Sequence, residues 1–504
     1  MSTKTKKKPA RRLSKSKFVL GLQCEKALYL TVHSPELAGE VSDGQQMIFD
    51  NGHLVGTEAQ KRFPGGVVVD AAYDETDKAL QQTQDAIAQG ALAIFEATFQ
   101  HEGVLVKIDV LHRKSVKAAW QIKEVKSSTS VKDVYLQDAA IQLWVARANL
   151  SKVDTVSIMV INNQCVYPKL DELFNTTDVT IEAEAIMKDV PRLVKHFQKV
   201  LGEEEAPETE ISPHCKDPYP CAFQDHCWVA KKVPKPSAFD LPNIRSVKAW
   251  KLYGEGKVDL KKLDPEDFTD LQARMIEATI SGKRFIDAKG IAKELKGWKY
   301  PLSFLDFETI SFPIPRYDGT RPFQHLPFQF SCHIQGKPKG KVEHVEYLHL
   351  TNTDPREAVA KALVDLVPKE GSVVAYWKSV EGGVLKNLAE LFPKYAKDLL
   401  AIRDRLVDPQ PIFRSHVLDP EFHGSFSLKD VAPAILGEDA SYTDMEVADG
   451  SAAQAGYMLL IGLPGSKAAE REKVRQDLID YCTKDTLGMV RLVEWLYKSA
   501  SSQK

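Results

Sequence analysis

Asp306 and Glu308 stand two residues apart in an otherwise apolar stretch, Pro301–Ile310 (PLSFLDFETI). On a strand, that spacing puts both carboxylates on one face. Unpaired acids in an element suited to burial would be costly, so the pattern predicts metal binding. A second acidic arrangement lies nearer the N-terminus. Gly103–Leu111 (GVLVKIDVL) and Ala118–Lys126 (AAWQIKEVK) read as the two strands of a hairpin; Asp109 ends the apolar part of the first, and Glu124 and Lys126 end the second. Glu124 and Lys126 share a face, beside Asp109. Two carboxylates can hold a hard divalent cation such as Mg2+ or Mn2+, and a lysine can orient or deprotonate an attacking water. Phosphodiester hydrolysis needs those parts, although a surface hairpin with alternating charges would show the same pattern. The following helix carries Tyr135, Asp138 and Gln142 at i, i+3 and i+7, a polar stripe that reads either as a water-positioning face or as a solvated one.

The seven cysteines form a third constellation. Cys215, Cys221 and Cys227 follow a C-x5-C-x5-C spacing in HCKDPYPCAFQDHC, while Cys24 stands alone in LQCEKALYL. Four thiolates suit an iron–sulfur cluster or a structural zinc ion, and the wide spacing argues against a simple zinc ribbon. Cys165, Cys332 and Cys482 lie in apolar surroundings and read as buried core thiols.

The elements that must position these residues alternate between helix and strand. Helices are expected over Asp74–Gln89 and Lys132–Ala148, with strands over Gly103–Leu111, Ala118–Lys126 and Thr155–Asn162. Further on, strands over Pro301–Ile310, Phe328–Ile334, Val342–Leu350 and Ser372–Trp377, with a helix over Pro355–Val367, give a β-β-β-α-β order. Glu381 falls at the start of the next helix; Tyr481 and Asp485, four residues apart, share a face of a late one. The expected organisation of this α/β chain is a basic tail at 1–17, a first domain at 18–237, a polar helical connector at 238–299 and a second domain at 300–498. At 504 residues, 43% hydrophobic and 27% charged, the composition is that of a globular protein able to bury a core without disulfides. A net charge of −2 shows no global basic signature, yet a nuclease can balance a basic groove against acidic metal sites. No apolar run is long enough for a membrane span, and the basic start is not followed by a signal-peptide core, so a reducing cytoplasm is the expected location and no membrane partner is expected.

Asp109, then Glu124-x-Lys126, then the Gln142 helix resembles the PD-(D/E)XK nucleases, and within them the RecB-type and CRISPR-adaptation branch. That resemblance implies a restriction-endonuclease-like fold and one further ligand from upstream: Glu58 in Gly52–Glu58 (GHLVGTE), with His53 and Glu96 as the other candidates. It also implies a 4Fe–4S cluster on Cys24, Cys215, Cys221 and Cys227, with zinc as the alternative. The family's Gln-x-x-x-Tyr pattern is interrupted, because Ala146 follows Gln142. The C-terminal half resembles the tyrosine-bearing DEDD exonucleases of RNase H-like fold, which implies Asp306, Glu308, Glu381 and Asp485 as metal ligands and Tyr481 as the water-orienting group. Here Glu381 replaces the usual third Asp, and Trp377 and Val380 stand where Asn and an aromatic are common. FLDFETI, GTRPFQHLPFQFS, GSFSLKDVAPAI and YCTKDT also resemble an uncharacterised domain that follows RecB-type modules in bacterial proteins. Within that domain Arg321, Gln329 and Lys429 read as structural residues or substrate contacts. The functions implied are a DNA-hydrolysing nuclease, an RNA-processing exonuclease, or a nucleic-acid scaffold whose centres have lost activity.

Overall fold

The computed structural model describes residues 13–72, 74–462 and 468–501, a mixed α/β protein. It divides into two compact units, Met1–Lys232 with Phe312–Phe323, and Val233–Ser311 with Gln324–Lys504. None of its described helices is long and apolar enough to cross a membrane.

The first unit is built on a mixed seven-stranded sheet. Its strands are β1 (Leu13–Ser14), β2 (Val67–Val68), β3 (Ala93–His101), β4 (Val104–His112), β5 (Trp120–Lys126), β6 (Val153–Ile161) and β7 (Phe174–Asp178). They run in the order β2-β3-β4-β5-β6-β7, with β1 added in parallel to β4 through Leu13↔Val104 and Ser14↔Leu105. Helices α1 (Lys15–Gln23), α2 (Glu25–His33), α3 (Asp43–Gln60), α4 (Thr76–Ala88), α5 (Asp133–Asn149), α6 (Thr180–Met187), α7 (Val190–Val200) and α8 (Gln224–Ala230) surround it. The alternation in β4 is clean: Val104, Val106, Ile108 and Val110 are buried, while Leu105, Lys107 and Asp109 are partly exposed on the other face. α5 is buried almost all round, as a helix held between layers must be, and this rules out the solvated-face reading of Tyr135, Asp138 and Gln142. α7 buries Val190, Val194, Phe197 and Val200 at helical spacing. Phe197 meets Phe18 edge-on at 5.6 Å, and its ring lies where a Cβ on Gly21 would stand, 2.9 Å away. Only glycine lets α1 settle this close. The expected tail is therefore too long: residues 1–12 lie outside the described residues, but Leu13 and Ser14 are paired with β4 and Lys15 opens a helix capped by Ser14, whose hydroxyl accepts from the Lys17 amide.

The second unit carries a mixed five-stranded sheet and a two-stranded ribbon. Three helices precede its main sheet: α9 (Ser246–Gly254), α10 (Asp270–Ser281) and α11 (Ala288–Leu295). Residues 238–299, expected as a connector, are part of this unit's core, where Leu260, Met275, Ile276 and Ile291 are buried with Leu302 and Phe304. The polar character of that segment describes only its outer face. The ribbon pairs β8 (Phe285–Ile286) with β14 (Val417–Leu418). The main sheet runs β11-β10-β9-β12-β13, from β9 (Leu302–Ile310), β10 (Leu326–Gln335), β11 (Val342–Leu348), β12 (Ser372–Val374) and β13 (Leu406–Val407). β9 and β10 are antiparallel, as are β10 and β11; β12 is parallel to both β9 and β13. Between and after the strands come α12 (Arg356–Leu366), α13 (Lys378–Leu391), α14 (Pro393–Arg403), α15 (Gln410–His416), α16 (Leu428–Leu436), α17 (Gly450–Leu460) and α18 (Ala468–Ser501). β12 ends at Val374, three residues short of expectation, because Trp377 adopts a left-handed backbone, φ 61°, that no strand can continue.

Candidate metal centres

In the first unit three acids lie in a row across three strands. The β3–β4 register, Phe95↔Val110 and Ala97↔Ile108, sets Glu96 opposite Asp109. The β4–β5 register, Val110↔Lys123 and Leu111↔Ile122, sets Glu124 beside Asp109 when continued by one residue. The ladder opens there: Glu96 has a left-handed φ of 57°, and the Asp109 carboxylate accepts from the Val125 amide at 2.6 Å. Residues opposite one another in a sheet stand roughly 5 Å apart at Cβ, within reach of a shared cation. Glu58 is the acid expected to join them. It sits on α3 and ion-pairs with Lys61 at 2.6 Å, whereas Glu96 is felt electrostatically by both Asp109 and Glu124. His53, on the same helix as Glu58, is an exposed residue that acts on Glu96.

The cationic side of this centre has two lysines rather than one. Glu124, buried, receives Lys126 at 2.8 Å and Lys15 at 2.5 Å on the same oxygen, and the Gln142 amide at 2.6 Å on the other. Lys126 is held from behind by Asp138 at 2.5 Å and lies over the Tyr135 ring at 4.9 Å. Burial pushes Asp109 up to about 8, helped by Glu124 and opposed by Lys15. Burial would raise Glu124 too, but Lys15 and Lys126 overcome it and hold that carboxyl well below the usual range. Both lysines are raised in turn: burial disfavours their charge, and Glu124 and Asp138 outweigh it. Lys15 was invisible in the sequence because it falls in a run of basic residues that reads as tail.

Four thiols line one small cavity in the same unit. Cys24 joins α1 to α2, Cys215 ends a short turn, Cys221 lies in a loop and Cys227 is on α8; all are free. Gln23 ties the two pieces of chain together, its amide donating to the carbonyls of His214 and Tyr219, both at 2.7 Å. Phe223 packs beneath, against Ala27, Tyr29, Leu30 and Val200. Burial pushes the Cys221 thiol up to about 11, and the other three sulfurs add to the rise. Of the other cysteines, Cys165, Cys332 and Cys482 are buried as expected, but Cys482 does not merely fill space.

In the second unit Asp306, Glu308 and Cys482 present ligand atoms that all lie within 4.8 Å of one another. The two acids project from β9; Cys482 comes from α18, its sulfur 3.8 Å from the Asp306 carboxylate. A polar seam sets the rotation of α18 against β10: Gln329 donates to the Leu478 carbonyl at 2.9 Å, and Thr486 bonds to Ser331 at 2.7 Å and to His333 at 2.8 Å. Gln329 is therefore structural. That rotation turns Asp485 toward β9, where Tyr442 donates to it at 2.5 Å and Tyr481 hydrogen-bonds it as well. Lys429 lies 4.9 Å from the Tyr481 ring centre and donates to the Ala448 carbonyl at 2.6 Å. Arg321, by contrast, bonds Gln164 in the first unit at 3.2 Å. Glu381, on the first turn of α13, is buried with its Oε2 unpartnered.

These acids crowd one another. Asp306 is pushed well above the carboxylate range by burial, then by Asp485, Glu308 and Glu381. Glu308 is lifted to about 8 by burial and Asp485, with Lys429 opposing. Burial and Asp408 lift Glu381 to about 8, although its own backbone amide opposes them. Asp485 reaches only about 6, because Tyr442, Lys429 and Tyr481 offset its burial. Four expected ligands and the expected tyrosine therefore act on one another; Tyr442, Lys429, Cys482 and Asp408 complete the surroundings, and nothing in the sequence spacing marked Tyr442 or Asp408.

A known family enters over a span that lies mostly in the second unit. Residues 303–427 match the family model of a domain of unknown function (DUF2779), a span that includes Asp306, Glu308 and Glu381 and stops before Lys429, Tyr481 and Asp485. No curated protein matches the chain.

Proposed function

We propose that this protein is a metal-dependent nuclease acting on DNA, with a restriction-endonuclease-like first unit, an RNase H-like second unit and two hydrolytic centres. The observation that carries the proposal is the convergence of Asp306, Glu308, Glu381 and Asp485, four acids whose mutual repulsion a divalent cation would relieve. Mg2+ or Mn2+ bound there, and on Glu96, Asp109 and Glu124, would neutralise the scissile phosphate and activate water. The chain's own residues do the rest. Lys126, kept protonated by Glu124 and Asp138, serves by its charge to hold phosphate or water rather than to take a proton. Gln142 fixes the Glu124 carboxylate in place. Tyr481, its hydroxyl pushed far above the ordinary range by burial and by Asp485, stays protonated and orients rather than deprotonates.

Cys24, Cys215, Cys221 and Cys227 would hold a 4Fe–4S cluster, closing the N-terminal helices onto the segment after α7. Its role is structural. Anaerobic purification followed by a visible spectrum tests this: a broad charge-transfer band supports the cluster, and stoichiometric zinc without that band rejects it. For the activity, labelled single-stranded DNA and matched RNA are incubated with the protein in Mg2+, Mn2+ or chelator. Cation-dependent degradation with DNA preferred supports the proposal, whereas binding without turnover would make the protein a scaffold and RNA preference would reassign its substrate.

A further inference from the structure

Trp377 is the most unusual residue near the second centre. Its side chain is 50% exposed, and its backbone sits in the left-handed region at φ 61°, which a bulky residue adopts only when held there. What holds it is visible. Upstream, Tyr376 is buried and its hydroxyl donates to the Phe426 carbonyl at 2.9 Å. Downstream, the Asp408 carboxylate accepts from the Trp377 amide at 3.2 Å and the Lys378 amide at 3.0 Å, and is itself anchored by the Gln410 amide at 2.9 Å. The clamp does not bury the indole; it turns it outward.

The clamp also fixes where the indole emerges. β12 runs parallel to β9, and its last paired residue, Val374, stands opposite Phe304, two residues before Asp306. Trp377 is the N-cap of α13, and Glu381 lies on the first turn of that helix. Between them Lys378, Ser379 and Val380 are all exposed, and Glu381 turns inward. The chain thus presents an exposed aromatic ring and an adjacent lysine beside a buried, unpartnered acid.

We propose that Trp377 is the stacking platform for the terminal nucleobase of a single-stranded substrate, with Lys378 alongside for its phosphate. The inference rests on the nuclease reading of this centre and adds a binding determinant to it. Base stacking on an indole tolerates any base, so the platform favours unpaired ends without selecting sequence. A fluorescein-labelled oligothymidylate titrated into the Lys126→Ala, Asp306→Asn double variant, in which both centres are disabled, tests the stacking by anisotropy. Adding Trp377→Ala should weaken binding roughly 5- to 150-fold, while Trp377→Phe should retain most of it. With Asp306 restored and the first centre disabled by Lys126→Ala, Trp377→Ala should raise KM and leave kcat within a few-fold. Trp377→Asn, whose side chain accepts a left-handed backbone, gives the same loss of binding without loss of melting temperature and so separates stacking from folding. Unchanged affinity in Trp377→Ala and Trp377→Asn, with wild-type degradation intact, overturns the stacking role alone. Absence of both oligonucleotide binding and cation-dependent degradation overturns the nuclease reading and this inference with it.

Discussion

Replacing Glu381 by glutamine removes one buried charge while keeping the shape of the side chain, and its effect on stability should change with pH. Glu381 is 4% exposed, has an unpartnered Oε2, and is lifted from 4.5 to about 8 by burial, its own amide opposing, and by Asp408. A carboxyl with a raised folded value binds its proton more tightly in the folded chain than in the unfolded one. Its contribution is therefore fully present below the ordinary value and is lost as pH rises through the folded value. Each pH unit in that window costs about 1.4 kcal/mol, a ceiling of about 5 kcal/mol for the whole interval. Asp306, Glu308 and Asp485 share the same field and relax when one charge leaves, so about 2 kcal/mol is the recoverable part. Calorimetry of the metal-free protein should show Glu381→Gln melting close to wild type at about pH 5 and several degrees higher at about pH 9. Saturating Mn2+ should reverse that order, because wild type gains more from the cation. An equal melting shift at both pH values, insensitive to Mn2+, would refute the placement of Glu381 in a charged metal centre.

Three further outcomes follow from the geometry. Lys15→Met leaves Glu124 with Lys126 and Gln142 only; with Lys15 21% exposed, the loss should be about 1–3 kcal/mol in unfolding experiments, below that of a fully buried pair. Glu124 should rise toward the usual carboxylate range, followed by carboxyl-resolved NMR titration. Gln142→Leu removes the amide from the Glu124 oxygen and should lower cation-dependent cleavage by the first centre about tenfold or more in single-turnover assays, with little change in melting. Gly371→Ala should be severely destabilising, by about 3 kcal/mol or more in the same calorimetry, since φ is 81° and the new Cβ would meet the Pro301 carbonyl oxygen at 1.9 Å just before β9.

The residues of these centres were legible to different degrees, for reasons that lie in the chain. Asp306 and Glu308 stand out because charge interrupts a strand that is otherwise apolar, and Asp485 shares a helix face with Tyr481 at a readable spacing. Asp109, Glu124 and Lys126 are visible for the same reason, and β4, β5 and α5 fall within two residues of expectation. Glu96 required the register: only pairing β3 with β4 sets it opposite Asp109, while the resemblance favoured Glu58 on an upstream helix. Lys15 was hidden by its basic neighbours, and its role depends on Gly21 letting α1 approach Phe197. Tyr442 and Asp408 reach the second centre through tertiary contacts from loops, which carry no period to read. The helices of 238–299 looked like a connector because their outward residues are polar, yet their spacing of Met275, Ile276 and Ile291 serves a core.

The central claim is that two acidic centres hydrolyse nucleic acid with divalent cations. It is tested most directly by the rate of nucleotide release from end-labelled single-stranded DNA in Mn2+, measured for anaerobically purified wild type, Lys126→Ala, Asp306→Asn and the double variant. The predicted result is a partial loss in each single variant, near-complete loss in the double variant, and no release by any form in chelator. Undiminished release by the double variant, or release that persists in chelator, would contradict it.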